Sequence, residues 1–173
     1  MADPVEANLS VGADEVDELV DAWRRERPEL DAAPLQVLSR ISRLASVLDE
    51  RRTAAFVEHG LQSHEFDVLA ALRRSGGDFE LTAGELCAAT HVTSGTMTSR
   101  LDRLVARQLV ERRPDPDDGR LVRVRLTLGG KARVDAAFET LLHSEQELID
   151  VLATDRRDQL ASALRDLLAA THP

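Results

Sequence analysis

One stretch, Thr82 to Thr127, constrains this chain more than any other, because the spacing of its apolar residues changes from helical to strand-like part-way along. Thr82 followed by Glu85 is a capping-box start, in which a hydroxyl and a carboxylate satisfy backbone N–H groups that a helix leaves open at its beginning. The helix it opens carries Leu86, Cys87 and Ala89 and stops near His91. A second helix begins at Thr93 or Ser94, and Met97, Leu101, Leu104 and Val105 recur at helical spacing to form its buried face. After Leu109 the period becomes that of a strand. Leu109 to Arg113 runs in, Pro114 to Gly119 turns, and Leu121 to Leu126 runs out, with Val122, Val124 and Leu126 alternating with Arg123 and Arg125.

The second helix shows Ser94, Thr96, Ser99, Arg100, Arg103 and Arg107 on its other face. Hydroxyls donate to phosphates, and arginines reach phosphates or guanine edges. A generic helical hairpin followed by a β-hairpin would give the same elements with a merely solvated arginine face. Here a cap, a helix period, a hydroxyl-rich face, a strand period and a basic hairpin tip agree, and they differ in kind. Helix, turn, helix and wing is the layout of a DNA reader. The candidate DNA contacts are Thr93, Ser94, Thr96, Thr98, Ser99, Arg100 and Arg103 on the helix, with Arg120 and Arg123 on the wing.

Overall charge argues against this reading at first, since the net is −9 with a pI near 5.0. Its distribution reverses the argument. Residues 73–133 hold 12 Arg and Lys against 8 Asp and Glu, a net of +4, while the remainder holds 10 against 23. A basic reader in an acidic frame should bind DNA with steep salt dependence. The 43% hydrophobic content supports a core that, with 3% aromatics, must be aliphatic. Cys87 is the single cysteine, so no disulfide can form within the chain. No apolar run approaches the ~20 residues of a membrane span, and the acidic N-terminus lacks the regions of a signal peptide, so a cytoplasmic location is expected. Lys131 is the one lysine, a bias that suggests a high-GC bacterial genome.

The rest of the chain reads as a helical frame. Residues 1–13 are expected to be disordered. Asp14 to Arg27 forms an amphipathic helix with Val16, Leu19, Val20 and Trp23 on one face, Trp23 serving as a docking anchor. Asp31 to about Val57 is a long helix striped by Leu35, Leu38, Ile41, Leu44, Ala45 and Leu48, broken around Gly60. Ser63 caps a further helix with Phe66, Leu69, Ala70 and Leu72 inward and Asp67 outward; Gly76 and Gly77 close it, and Phe79 to Leu81 supplies a short first strand. Leu128 to Gly130 leads into a helix from Lys131 to about Leu152, and Thr154 starts a last one with Leu160, Leu164, Leu167 and Leu168 as a seam. The fold is mainly α with a small β-wing. It comprises N-terminal dimerisation helices at 14–60, a winged helix-turn-helix at 61–130 and C-terminal dimerisation helices at 131–173. The terminal helices are too apolar on one side to stand alone, so a homodimer reading a palindrome on double-stranded DNA is expected.

Other chemistries are weak. His59 and His64 lie near Glu58 and Glu65 across a helix break, which is a poor metal set, and no cofactor is implied. There is no nucleophile elbow, phosphate loop or paired-carboxylate context, so an enzyme is not expected.

The sequence from about residue 31 to 170 resembles the MarR family (multiple-antibiotic-resistance regulators). The resemblance rests on Thr96-Met97, Leu104, Leu109-Val110, Asp118-Gly119-Arg120, and Thr127 with Gly130. Gln108 departs from it, standing where the family usually places a small turn residue, often glycine. The resemblance implies a homodimeric repressor in which the helix at 93–108 enters the major groove and Arg120, oriented by Asp118, enters a minor groove. A narrower resemblance is to a urate-responsive subfamily with an N-terminal helix carrying a tryptophan, which would assign Trp23, Asp67, Arg100 and Arg112 to a small anionic aromatic ligand. The alternatives are a regulator of phenolic or antibiotic stress binding a phenolic acid, and a redox-responsive regulator acting through Cys87.

Overall fold

The computed structural model of the chain describes residues 12–116, 118 and 121–171. The expected tail at 1–13 therefore lies outside the described residues, except for Gly12 and Ala13, which belong to no regular element. The order is α1 (Glu15–Glu26), α2 (Ala33–Glu58), α3 (Ser63–Arg74), β1 (Glu80–Thr82), α4 (Ala83–Thr90), α5 (Ser94–Ala106), β2 (Val110–Pro114), β3 (Val122–Leu126), α6 (Leu128–Ile149) and α7 (Thr154–Ala169). Among the described residues no helix is long and apolar enough to cross a membrane. The chain forms two compact units, and the division falls within α2, between Asp49 and Glu50.

In the N-terminal unit, Asp14 caps α1 by accepting from the Val16 and Asp17 amides at 2.8 and 3.1 Å, while Asp17 accepts from the Asp14 amide at 3.0 Å. Arg40 of α2 reaches Asp14 and Asp17 at 2.8 and 3.0 Å, and Arg43 pairs with Glu15. Val16 and Val20 are buried.

The second unit is built on α3, which buries Phe66, Val68, Leu69, Ala70, Ala71 and Leu72 in one continuous core. Leu86 of α4, Met97, Leu101 and Leu104 of α5, Val110 and Val124 of the sheet, and Val134, Ala137 and Leu141 of α6 complete it. Phe56, near the end of α2, stacks on Phe66 with ring centroids 4.0 Å apart. The three strands are antiparallel in the order β1-β3-β2. Leu81 and Arg112 both face Val124, and Val110 faces Leu126, so one side of the sheet closes the core.

Two local readings are corrected. Gln62, not Ser63, is the residue before α3, and its amide donates to Glu65 Oε2 at 3.0 Å, so the start is set by a carboxylate three residues on. Leu128 to Gly130 is not a lead-in but the first turn of α6, capped by Thr127, whose hydroxyl accepts from the Gly130 amide at 2.9 Å. Gly130 is required for a different reason than flexibility. A methyl group there would overlap the Leu109 carbonyl, because the helix start lies directly on the strand entry.

A buried carboxylate joins α3 to the end of α5. Arg107 donates through Nη1 to Glu65 Oε2 and through Nη2 to the Gly60 carbonyl, each at 2.6 Å. Burial acts to raise the pKa of Glu65, but Arg107, the Gln62 amide and His64 together outweigh it and hold the carboxyl below its usual 4.5.

Gly130→Ala should therefore lose about 3 kcal/mol in urea unfolding, while Gly129→Ala, whose added methyl meets only Thr127 Oγ1 at 3.7 Å, should be tolerated. Because the folded-state pKa of Glu65 lies below its unfolded value, the stability it supplies is present above the unfolded pKa and is lost as pH falls through the folded one. Glu65→Gln should cost about 2 kcal/mol at neutral pH, and the gap to the parent should narrow in melts as pH falls below the ordinary glutamate value of 4.5.

Candidate nucleic-acid interface

The reader begins where β1 ends. Thr82 closes the strand and caps α4: Glu85 Oε2 accepts from the Thr82 amide at 2.7 Å, and Thr82 Oγ1 accepts from the Glu85 amide at 3.2 Å. His91 ends α4 in the left-handed conformation, φ 53°, with its amide donating to Cys87. This tight reversal brings Thr93 into place as the cap of α5, where its hydroxyl accepts from the Thr96 amide at 3.5 Å and lies 3.1 Å from the Thr96 hydroxyl. Helix α5 ends at Arg107, after which Gln108 is left-handed at φ 57°. That conformation explains why a small residue suits this turn, since only glycine enters it without steric cost.

Met97, Leu101 and Leu104 turn inward, so Ser94, Thr96, Thr98, Ser99 and Arg103 are left exposed, as is the cap Thr93. The first turn carries no acid. Thr98 and Ser99 donate to the Ser94 and Gly95 carbonyls at 3.0 and 3.3 Å, which leaves their oxygen lone pairs outward. Arg103 is exposed and, among the described residues, makes no ion pair. Arg107 had been grouped with this face by helical spacing; the correction is that both its Nη atoms are engaged by Glu65 and Gly60.

The wing sorts its arginines in the same way. Arg123 pairs with Asp115, which is 5% exposed, and lies 3.5 Å from Glu80. Asp115 also accepts from the Asp118 amide at 2.9 Å, and its own amide donates to Leu121 at 3.0 Å. The wing base is thus held by a buried carboxylate that sequence reasoning missed. Its one signal was the Asp-Pro-Asp-Asp-Gly run, a composition in which an aspartate bonds backbone further along a turn. Asp118 is exposed, and Arg120, with the expected Asp118–Arg120 pairing, lies outside the described residues.

Of the four proposed ligand residues, Asp67 and Arg100 come near one another. Burial by surrounding atoms pushes the Asp67 carboxyl above its ordinary value, and the positive charge of Arg100, then His64 and Arg74, pulls the other way. Arg112 Nη1 donates to Asp102 at 2.7 Å, and Nη2 lies 3.4 Å from the Thr98 carbonyl, both on α5. Trp23 belongs to the N-terminal unit. It is not a buried anchor: at 48% exposed, it lines a 330 Å³ cleft with Arg27, Leu30 and Leu35. Its neighbours Val16 and Val20 take the buried positions instead. Cys87 is half-buried against the core. The weak His59, His64, Glu58 and Glu65 cluster dissolves, because His59 bonds Thr140 at 2.8 Å and Glu65 is held by Arg107.

Residues 59–121 match the MarR family. The chain is similar to the HTH-type transcriptional regulator PecS of Dickeya dadantii, with 32% identity over 87% of this chain and 90% of that protein. Its similarity to the HTH-type transcriptional repressor NicR of Pseudomonas putida is 38% over 62% of this chain and 68% of that protein. In structure it resembles a mutant MarR from Escherichia coli complexed with operator DNA, at 28% identity and a TM-score of 0.64, over 84% of this chain and 97% of that one. Cap, reader helix, wing register and relatives agree: this chain belongs to the MarR family and is a MarR-type transcriptional regulator, not an enzyme.

Proposed function

We propose that this chain acts as a homodimer that represses transcription by binding a palindromic operator, and that a small anionic aromatic ligand such as urate releases it. The observation that carries the DNA reading is the exposed surface of α5, hydroxyl-rich, free of acid in its first turn and carrying Arg103, which is exposed and makes no ion pair among the described residues. Arg103 and the Ser94 hydroxyl offer donors to phosphates and base edges, while Thr98 and Ser99, which donate to the helix backbone, offer acceptors to base-edge donors. The relative seen with operator DNA, and another named a repressor, support it.

Dimerisation is supported by apolar side chains that the single chain leaves uncovered. Val37 and Leu38 of α2 are 51% and 55% exposed in the N-terminal unit. In the second unit Phe138, Leu142, Leu160, Leu167 and Leu168 are exposed, and α7 buries no residue at all. A helix with a leucine seam and nothing buried needs a partner surface. The helices at 14–60 and 131–173 would supply it in both copies, leaving two α5 helices to enter successive major grooves from the 61–130 readers.

Release follows from where Arg100 and Arg112 are tied. An anion that draws Arg100 away deprives Asp67 of its largest favourable charge effect, and one that draws Arg112 breaks its links to Asp102 and Thr98. Each event pulls on α5. The ligand shifts the equilibrium only by its preference for the non-binding state. Trp23 is assigned to the ligand from its sequence position, with its half-exposed indole as the flat surface offered.

The test is a gel-shift and a thermal melt on one duplex, selected by the protein from a randomised library, with urate and salicylate added in turn. Urate should stabilise the protein and release the duplex. Arg103→Ala should weaken binding and reduce the salt slope by about one. Asp67→Asn and Trp23→Phe should bind DNA as the parent does and respond less to urate. If urate releases DNA from both variants as it does from the parent, the ligand assignment is wrong.

A further inference from the structure

The end of α5 is fixed to two other elements by a single side chain. Arg107 is the residue that closes the helix, so its backbone moves with α5. One Nη atom binds Glu65, whose side chain is 5% exposed at the start of α3, and the other binds the carbonyl of Gly60 in the turn between α2 and α3. That turn is tight and left-handed at Gly60, φ 65°. A side chain at 60 would stand 3.5 Å from Arg133 Nη1 and 3.9 Å from Arg107 Nη2, and Arg133 itself reaches the His59 carbonyl at 3.5 Å. Two arginines, from α5 and α6, thus grip the last carbonyls before α3, where the negative end of the α2 dipole favours cations.

We infer that Arg107 is a positioning residue for DNA recognition: it touches no DNA but sets the tilt of α5, through Glu65 and the Gly60 carbonyl, so that the hydroxyls at the far end of the helix meet base edges. The inference rests on the proposed DNA reading. Its physical basis is leverage. Helix α5 is about 20 Å long, so a tilt of about 5° at the clamp moves Ser94 and Thr96 by nearly 2 Å. Hydrogen bonds to bases fail over such a distance, whereas the attraction of arginines to phosphates barely changes. A planar guanidinium is needed, because a lysine ammonium cannot hold the carboxylate and the carbonyl in fixed, divergent directions.

The experiment compares the parent with Arg107→Ala, Arg107→Lys, Glu65→Gln and the double variant Glu65→Gln/Arg107→Ala, well below their melting temperatures. Two duplexes of equal length are used, one selected by the parent from a randomised library and one unrelated. Affinity for the selected duplex should fall about tenfold in each single variant, that for the unrelated duplex should hold, and the salt slope should stay unchanged. The double variant should lose no more than the worse single one, and lysine should not rescue. Equal losses on both duplexes with a slope lower by about one would make Arg107 a phosphate contact and overturn the inference. Unchanged affinity in folded variants would reduce the clamp to a stabilising pair and overturn it too. Should Arg107→Ala fail to fold, Glu65→Gln and Arg107→Lys, which keep most of the volume, decide between these outcomes. Failure of the DNA reading itself shows differently, in a parent that selects no duplex.

Discussion

Every element of the reader rests on α3. Its buried residues span nearly the whole circumference of the helix, and it packs against α4, α5, α6 and the sheet at once. A helix with so wide an apolar face must be covered on most of its sides, and only the strip at Ser63, Asp67 and Arg74 is left exposed. Once Val68, Leu69 and Leu72 are inside, the remaining freedom of the second unit is the direction in which α5 lies across them. Met97, Leu101 and Leu104 fix which face of α5 turns inward, and so which face is left for solvent or a ligand. Apolar contact is not directional, however, and three side chains on a cylinder leave its tilt loosely determined. The tilt falls to polar contacts at the helix ends.

Those contacts account for the charge balance. The chain carries 31 acids, far more than a nucleic-acid binder seems to need, but some of them have defined work within the reader. Glu65 holds Arg107, Asp102 holds Arg112, and Asp115 with Glu80 holds Arg123. Each pair ties one arginine to another element and makes it a strut. Arg103 is left outward, beside a row of hydroxyls, and the basic excess of the region is spent on a small number of positions. The exposed pairs are worth little as stability, and they act by direction rather than by strength.

Local signals in the sequence were sufficient wherever the physics is local. The Thr82–Glu85 cap, the turn at Gly76-Gly77 and the alternation of Val124 and Leu126 with Arg123 and Arg125 each need only neighbours in the chain, and the structure reproduces them, while Val122, expected on the same buried face, is exposed at the start of β3. What could not be read is what depends on distant partners. Gly129-Gly130 resembles a linker in composition, yet Gly130 is there because the Leu109 carbonyl occupies the space of a side chain. Arg107 has the helical spacing of an exposed residue, and only the fold brings Glu65 beneath it. Trp23 has the size of an anchor, while the smaller Val16 and Val20 take the buried positions. Along α5 the helical period gave Met97, Leu101 and Leu104 as the inward side, but it also counted Val105 inward, which is exposed, and Arg107 outward, which is tied to Glu65 and Gly60. The internal ties of Arg112 and Arg123 were not legible, because their acidic partners lie on other elements, Asp102 on α5, Asp115 in the wing turn and Glu80 on β1.

The central claim is that two copies of α5, related by a two-fold axis, read one piece of DNA. Hydroxyl-radical footprinting on a duplex selected by the protein tests it most directly. The account predicts two protected segments, symmetric about the duplex centre and about one helical turn apart, or a whole multiple of it, with lighter protection outside them where the wings lie. A single protected segment, or even protection indifferent to sequence, would contradict it.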